Sequence, residues 1–382
     1  MISVLDLKPE IAEIRDEIDA AIKNVIDNTA FIMGPVVKQF EKEVAEYLGA
    51  KHAIGVNSGT DALVIGMKAL GIKEGDEVIT TPFSFFATAE SISILGAKPV
   101  FVDIIEGSYN IDPAEIEKAI TPKTKAIVPV HLYGQACQMS KIMEIAEKHN
   151  LLVVEDCAQS FGARYFGNCI ECDDSCESSY KDQFNGKQTG TIGHVGAYSF
   201  FPSKNLGAFG DGGLITTNDD AVAEQARMLR VHGAKKKYHN EVLGFNSRLD
   251  SIQAAILRVK LPHIDKWNSG RAEAAKRYKE FFAIESRVIT PDVIEGHVFH
   301  QYTIRVKDTN RDQLQADLKE AGVGSMIYYP VPQDMLPVYK KDYTPCPVSK
   351  KLSDEVISLP IWPSISPDVQ NKVADALLKA LS

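Results

Sequence analysis

The sequence predicts an α/β fold: a largely parallel sheet with helices on both faces, followed by a smaller mixed α+β domain. Two observations predict it. From about residue 53 to residue 217, short apolar runs alternate with segments of helical spacing. After Asp219 the alternation stops and amphipathic helices take over. Strand–helix–strand alternation returns the chain to the same end of the sheet each time, so successive strands run parallel.

The expected strands are "HAIGV", "DEVITT", "KPVFVDI", "KAIVPVHL" and "LLVVEDC", rich in Val and Ile and bounded by turn residues. Between them "DALVIGMKAL", "ATAESISIL", "DPAEIEKAI" and "SKIMEIAEKHN" have helical spacing. "DAVAEQARMLRVHG" and "RLDSIQAAILRVKL" are helical, and "SGRAEAAKRYKEFFAIE" is a long connecting helix. The last part holds "HQYTIRV", a helix at "RDQLQADLKEAG", a short strand at "VISLP" and a final helix at "PDVQNKVADALLKAL". The division expected is a large domain over 1–250 and a small one over 251–382. In such sheets ligands bind at the carboxyl ends of the strands.

Composition narrows the function. The chain has 382 residues, 45% hydrophobic and 24% charged, with a formal net charge of -9. A nucleic acid or an anionic membrane needs a basic face, so neither is the expected partner. "MISVLDLKPEIAEIRDEI" carries early acidic residues and no long apolar run. It predicts neither signal peptide nor membrane span, and so a cytoplasmic protein.

Three stretches carry chemistry. "LLVVEDCAQSFGARY" ends an apolar strand on Glu155-Asp156, so Asp156 emerges at the edge of the sheet. A carboxylate there must be paired, or must cap a helix at "CAQSFGA". "NSGTDAL" follows a strand and opens a helix, where Gly59 and Thr60 offer free N–H groups to an anion or are merely capped. "SFFPSKNLGAFGDGG" sets one lysine, Lys204, between apolar and glycine-rich residues. Desolvation lowers a lysine from about 10.4 toward neutrality, and a neutral amine forms a Schiff base with an aldehyde. The glycines would let the chain pass close to a flat ring. A snorkelling lysine is the plain alternative. A phosphate loop fails on spacing, because its glycines precede the lysine. Together an anion site, a strand-end carboxylate and a desolvated lysine meet the needs of pyridoxal 5'-phosphate.

"NSGTDAL", "EDCAQSFGARY", "SFFPSKNLGAFGDGGLITT" and "GFNSRLDSIQAAIL" resemble the DegT/DnrJ-type nucleotide-sugar aminotransferases, which are fold-type I pyridoxal-phosphate enzymes. The likeness runs from "DLKPEI" to "VISLPIWPSI". It implies a mostly parallel seven-stranded sheet and a homodimer with shared active sites. It also implies transfer of an amino group from L-glutamate, through the pyridoxamine 5'-phosphate form. The acceptor would be a keto group on a nucleotide-linked sugar for surface polysaccharide. C3 of a UDP-2-acetamido-3-keto uronic acid is the nearest likeness, and dTDP- or UDP-4-keto and dTDP-3-keto sugars are the alternatives.

Residue by residue, the resemblance makes Lys204 the lysine that carries the aldehyde and moves the proton. Asp156 pairs with the ring nitrogen and Gln159 lies on the ring-hydroxyl side. Gly59, Thr60 and Ser199 hold the phosphate. Phe85 stacks on the ring, although an ordinary core position is its plain reading. Asn246 reaches the phosphate in the partner's site, and Arg248 meets the substrate. "IYYPVPQD" matches a substrate-binding segment in which the family often has His-Tyr-Pro. Tyr329 carries over and Tyr328 departs from the pattern. The run Lys235 to Lys237 could meet a diphosphate or simply be solvated.

Three of the six cysteines, Cys169, Cys172 and Cys176, lie in an unusual stretch at about 168–186. Their C-x2-C-x3-C spacing could hold zinc or an iron–sulfur cluster, but a closed zinc site wants a fourth ligand. Reduced thiols in a polar loop are the alternative. Three rival functions remain: a sugar dehydratase, which in relatives replaces the lysine; a ligand-binding sensor; and a desulfurase-like enzyme using a loop cysteine. The presence of Lys204 argues against the first, and intact Lys204, Asp156 and Gln159 argue against the second.

Overall fold

The computed structural model describes residues 1–167 and 180–382. Among them, seven strands form the central sheet: β1 (His52–Val56), β2 (Glu77–Thr80), β3 (Lys98–Phe101), β4 (Thr124–Val128), β5 (Leu152–Asp156), β6 (Val195–Ser199) and β7 (Gly213–Thr217). Their order across the sheet is β1-β7-β6-β5-β4-β2-β3. β6, β5, β4, β2 and β3 are mutually parallel, and β7 is antiparallel to both β1 and β6. The apolar runs had marked β1 to β5. The antiparallel strand has a local cause. Every other connection in the sheet contains a helix, whereas Phe200–Gly212 contains none, so the chain turns straight back beside β6.

Both faces of the sheet are covered, which is why its strands are continuously apolar. The helix Gly59–Ala69 packs on β6 and β7 and is itself covered by Ala87–Ile94 and Asp220–Leu229. Its residues Ala62 to Met67 are all buried, as a helix that is apolar all round must be. On the opposite face Ile18, Phe40 and Val44 meet Leu214, Ala254 and Leu257. Residues on either side of the expected division at 250 and 251 therefore pack together. The helix Ser251–Lys260 lies against Arg15–Asp27 and Pro35–Leu48.

A short hairpin, β8 (Ala234–Lys236) and β9 (His239–Asn240), follows the large sheet. It carries the basic run, in which Lys235 is exposed and paired with Glu224 at 2.8 Å. A second, antiparallel sheet comprises β10 (Val288–Ile289), β11 (Tyr302–Val306) and β12 (Val356–Leu359). The helix Ile264–Phe282 joins the two cores: Trp267 belongs to the first, and Tyr278 and Phe282 to the second, with Phe299, Leu318 and Leu377. The first residues return to this second unit, because Ile2 exchanges main-chain bonds with Gly322 and Gly324. No helix among the described residues is long and apolar enough to cross a membrane.

Candidate active site

The chain leaves the carboxyl ends of β1, β2, β5 and β6 on the same edge of the sheet, and the candidate residues stand there. Asp156 is the last residue of β5 and is buried. Its main chain is held by bonds to Pro129 and His131. One carboxylate oxygen accepts the Ala158 N–H at 3.1 Å and the other the Thr88 hydroxyl at 2.9 Å. Burial raises its carboxyl above the ordinary aspartate value, while the Ala158 N–H, the Thr88 hydroxyl and Lys204 draw it back down. The helix expected after it does not form: residues 157 to 163 are turns, so Asp156 closes a turn and is no N-cap.

Lys204 lies in the helix-free connection between β6 and β7, its N–H bonded to the Phe201 carbonyl at 2.8 Å. Its side chain is partly buried. Desolvation lowers its ammonium from 10.5 to about 8, against the opposing pull of Asp156. The glycines around it serve the protein's own packing. A Cβ at Gly207 would strike the Pro202 carbonyl, and one at Gly213 the Ser58 carbonyl. Backbone passing backbone at that distance excludes any side chain.

Ser58 caps the helix Gly59–Ala69, accepting the Asp61 N–H at 3.1 Å. A cap of this kind is worth about 1 kcal/mol. It leaves the N–H groups of Gly59 and Thr60 at the helix start, beside Ser199: a Cβ on Gly59 would lie 2.7 Å from Ser199 Cβ. Gln159 is buried and uses both ends of its amide. Its oxygen accepts the Tyr133 N–H at 2.7 Å and its nitrogen donates to the Tyr329 hydroxyl at 2.9 Å. Phe85 is no core residue, being 61% exposed, with its ring 6.4 Å from that of Tyr329. The Tyr328 carbonyl accepts the Tyr133 hydroxyl.

Asn246 and Arg248 flank Ser247, which meets Asn57 just before the helix Gly59–Ala69. Ser247 between them is buried and donates to Asn57 Oδ1 at 3.1 Å, while Asn246 is exposed and Arg248 partly so. Cys169, Cys172 and Cys176 lie outside the described residues. Among the described residues His131, Glu155 and Cys157 bring three ligand-type atoms within 4.8 Å. Those atoms are already engaged. Glu155 accepts the N–H groups of Gly190, Ile192 and Gly193 as well as the His131 ring, and so braces the loop before β6.

A model of one protein family matches residues 12–378, nearly the whole chain. The chain belongs to the DegT/DnrJ/EryC1/StrS aminotransferase family. It is 42% identical to UDP-N-acetyl-3-dehydro-alpha-D-glucosamine 3-aminotransferase of Acidithiobacillus ferrooxidans, over 100% of this chain and 98% of that one. It is 43% identical to UDP-2-acetamido-2-deoxy-3-oxo-D-glucuronate aminotransferase of Pseudomonas aeruginosa, over 95% and 96%. It is 40% identical to dTDP-3-amino-3,4,6-trideoxy-alpha-D-glucose transaminase of Streptomyces venezuelae, over 98% and 94%. The crystal structure of Streptomyces venezuelae DesV with a ketimine intermediate superposes at a TM-score of 0.90, with 40% identity over 99% and 98% of the chains. NtdA of Bacillus subtilis, solved with bound cofactor PMP, superposes at 0.85, with 32% identity over 97% and 82%.

As an aminotransferase of this family the protein uses pyridoxal 5'-phosphate. Its own donor set suits that group. A buried carboxylate answers a protonated ring nitrogen, a helix start with free N–H groups answers a phosphate, and a desolvated amine answers an aldehyde. Sequence reasoning had no signal for Thr88, which holds Asp156 from the first turn of the helix Ala87–Ile94. Asn205 was within reach, as the neighbour of Lys204, but nothing local showed what it binds.

The lowered ammonium of Lys204 has a measurable consequence. The amine captures an aldehyde only when neutral, and moving its pKa from 10.5 to about 8 raises the neutral fraction at pH 7 roughly 300-fold. Capture of pyridoxal phosphate by cofactor-free protein, followed by absorbance, should therefore rise with pH through a midpoint near 8. A rate still climbing steeply above pH 10 would contradict the desolvation argument.

Proposed function

We propose that this aminotransferase moves the amino group of L-glutamate to C3 of a UDP-2-acetamido-3-keto sugar, the product serving a surface polysaccharide. The observation that carries the substrate class is the pair of UDP-3-keto-sugar aminotransferases, each at least 42% identical over nearly its full length. A dTDP-keto sugar is the second reading, favoured by the dTDP-sugar transaminase at 40%.

When bound, the cofactor supplies an aldehyde for an amine to condense with, and a conjugated ring that takes up the electron pair left by a departing proton. Gly59, Thr60 and Ser199 would hold its phosphate, Asp156 its ring nitrogen, and Gln159 and Phe85 its ring. Lys204 Nζ takes the proton from the α-carbon of glutamate. In the second half-reaction it delivers a proton to the sugar carbon that gains the nitrogen. Tyr328, Tyr329 and Arg248 are proposed to meet the sugar. Asn246 is proposed to complete the phosphate site of a second copy in a homodimer. The exposed rings of Phe201 and Phe209, next to the site residues, fit being covered by that copy.

The test has two stages. Glutamate should convert the cofactor absorbance to that of the amine form. A panel of UDP- and dTDP-linked 3-keto and 4-keto sugars, scored by product mass, should then give amination of the UDP-3-keto members. Turnover confined to dTDP-4-keto sugars would overturn the proposal.

A further inference from the structure

Beside Lys204 runs a chain of side-chain amides that none of the assigned roles uses. Asn268 Nδ2 donates to the Phe161 carbonyl at 3.1 Å. Asn205 Nδ2 donates to Asn268 Oδ1 at 2.7 Å and to the Val298 carbonyl at 3.1 Å. Main-chain carbonyls only accept, so Phe161 and Val298 fix which end of each amide points where. Asn205 Oδ1 is therefore an acceptor. It lies 3.0 Å from Nδ1 of His300, which must carry the proton and donate it. A neutral imidazole holds one proton, so Nε2 of His300 is a bare lone pair.

His300 is buried, and burial together with Lys204 and Arg271 keeps it well below the ordinary histidine value, so the ring stays neutral. It lines a mixed cavity of about 90 Å³, with Ser203, Gln301 and Tyr328 among the polar neighbours and Val4, Leu5 and Ile361 among the apolar ones. Among the described residues no group donates to its Nε2. Ser203 is the residue before Lys204, so the cavity opens next to the lysine. A fixed lone pair on a buried ring calls for a donor. The charged donors close by are the Lys204 amine and the Arg271 guanidinium on the helix Ile264–Phe282. Arg271 NH1 is turned to the Ile361 carbonyl at 3.4 Å.

We propose that His300 is a positioning residue for Lys204: its Nε2 is placed to accept an N–H of the lysine when that amine is not engaged by the cofactor. Asp156 and His300 then hold the amine from two directions, and its third substituent position is left for the reacting carbon. The proposal rests on Lys204 being the cofactor-binding lysine. Its novelty is the histidine and the amide chain that sets its tautomer.

An accepted hydrogen bond favours the ammonium form, so losing it lowers the pKa of Lys204. Asp156, which favours the ammonium, is unchanged by substitutions at 300. The reactivity of Lys204 toward an acylating reagent is read by peptide mass across pH, in cofactor-free protein. His300→Phe should move the midpoint down by about one pH unit relative to wild type. His300→Gln restores an acceptor and should recover most of that shift. A phenylalanine also desolvates the lysine, so a glutamine variant that shifts as far as the phenylalanine variant overturns the proposal. Nitrogen NMR of wild-type protein gives a reading free of any folding defect: an Nε2-protonated or imidazolium form of His300 at pH 7 also overturns it. Lys204→Ala separates the two claims. If that variant still captures pyridoxal phosphate, the lysine assignment itself fails. If capture is lost there and the His300 variants leave the midpoint unmoved, only the histidine's role fails.

Discussion

Replacing Lys204 with alanine is expected to lower the glutamate-driven conversion of the cofactor by about 10,000-fold, the scale of removing both a covalent anchor and a positioned acid–base group. Alanine is accommodated at this position, because the loop is held by its own backbone. The Lys204 N–H bonds Phe201, the Phe200 N–H bonds Gly212 and the Ala208 N–H bonds Phe200. Lys260 adds an independent hold, donating from a buried ammonium to the Gly207 carbonyl at 2.5 Å. Thermal stability should therefore stay near wild type while activity disappears. Two measurements separate chemistry from folding. Borohydride treatment should leave cofactor mass on wild-type protein and none on the variant. Stopped-flow absorbance with glutamate should show conversion only in wild type. A variant within about 10-fold of wild type would sink the assignment.

Asp156→Asn is expected to cost about 100- to 1,000-fold in the same half-reaction, the range seen when one preorganised electrostatic partner is removed. The amide is nearly isosteric and can still accept from the Ala158 N–H or the Thr88 hydroxyl, so the turn after β5 survives. What disappears is the buried negative charge that keeps the ring nitrogen protonated. That charge also supports the ammonium of Lys204, so the variant's capture midpoint should fall below 8. Thr88→Val should act in the same direction and more weakly. It strips one of the bonds that keep the Asp156 carboxyl ionised against its own burial, so its activity should be lost at a higher pH than wild type as pH is lowered. An Asp156→Asn enzyme with unchanged rate and midpoint would show that the carboxylate serves only the fold.

Much of the site was legible because its residues sit where local patterns end. Asp156 closes an apolar strand, Gly59 and Thr60 open a helix, and Lys204 stands between apolar and glycine-rich residues. Each is visible within a few residues of its own neighbours. Phe85 was ambiguous for the opposite reason. An aromatic in "TPFSFFATAE" looks the same whether it faces core or cleft, and only its exposure in the fold removes the core reading. The glycines after Lys204 also have a packing reason. The Pro202 carbonyl in the same loop crowds Gly207, and the Ser58 carbonyl crowds Gly213 once β7 has turned back beside β1.

By itself the sequence determined the layered α/β architecture, the strand-end carboxylate, the capped helix start and a lysine in apolar surroundings. These depend on side-chain period and turn chemistry, which act over a few residues. The tertiary structure alone decided that β7 runs antiparallel, that the Thr88 hydroxyl reaches Asp156 from the helix Ala87–Ile94, and that Asn205 bonds His300. Those outcomes depend on contacts between residues 68 and 95 positions apart, Thr88 with Asp156 and Asn205 with His300, and no local pattern encodes such pairings.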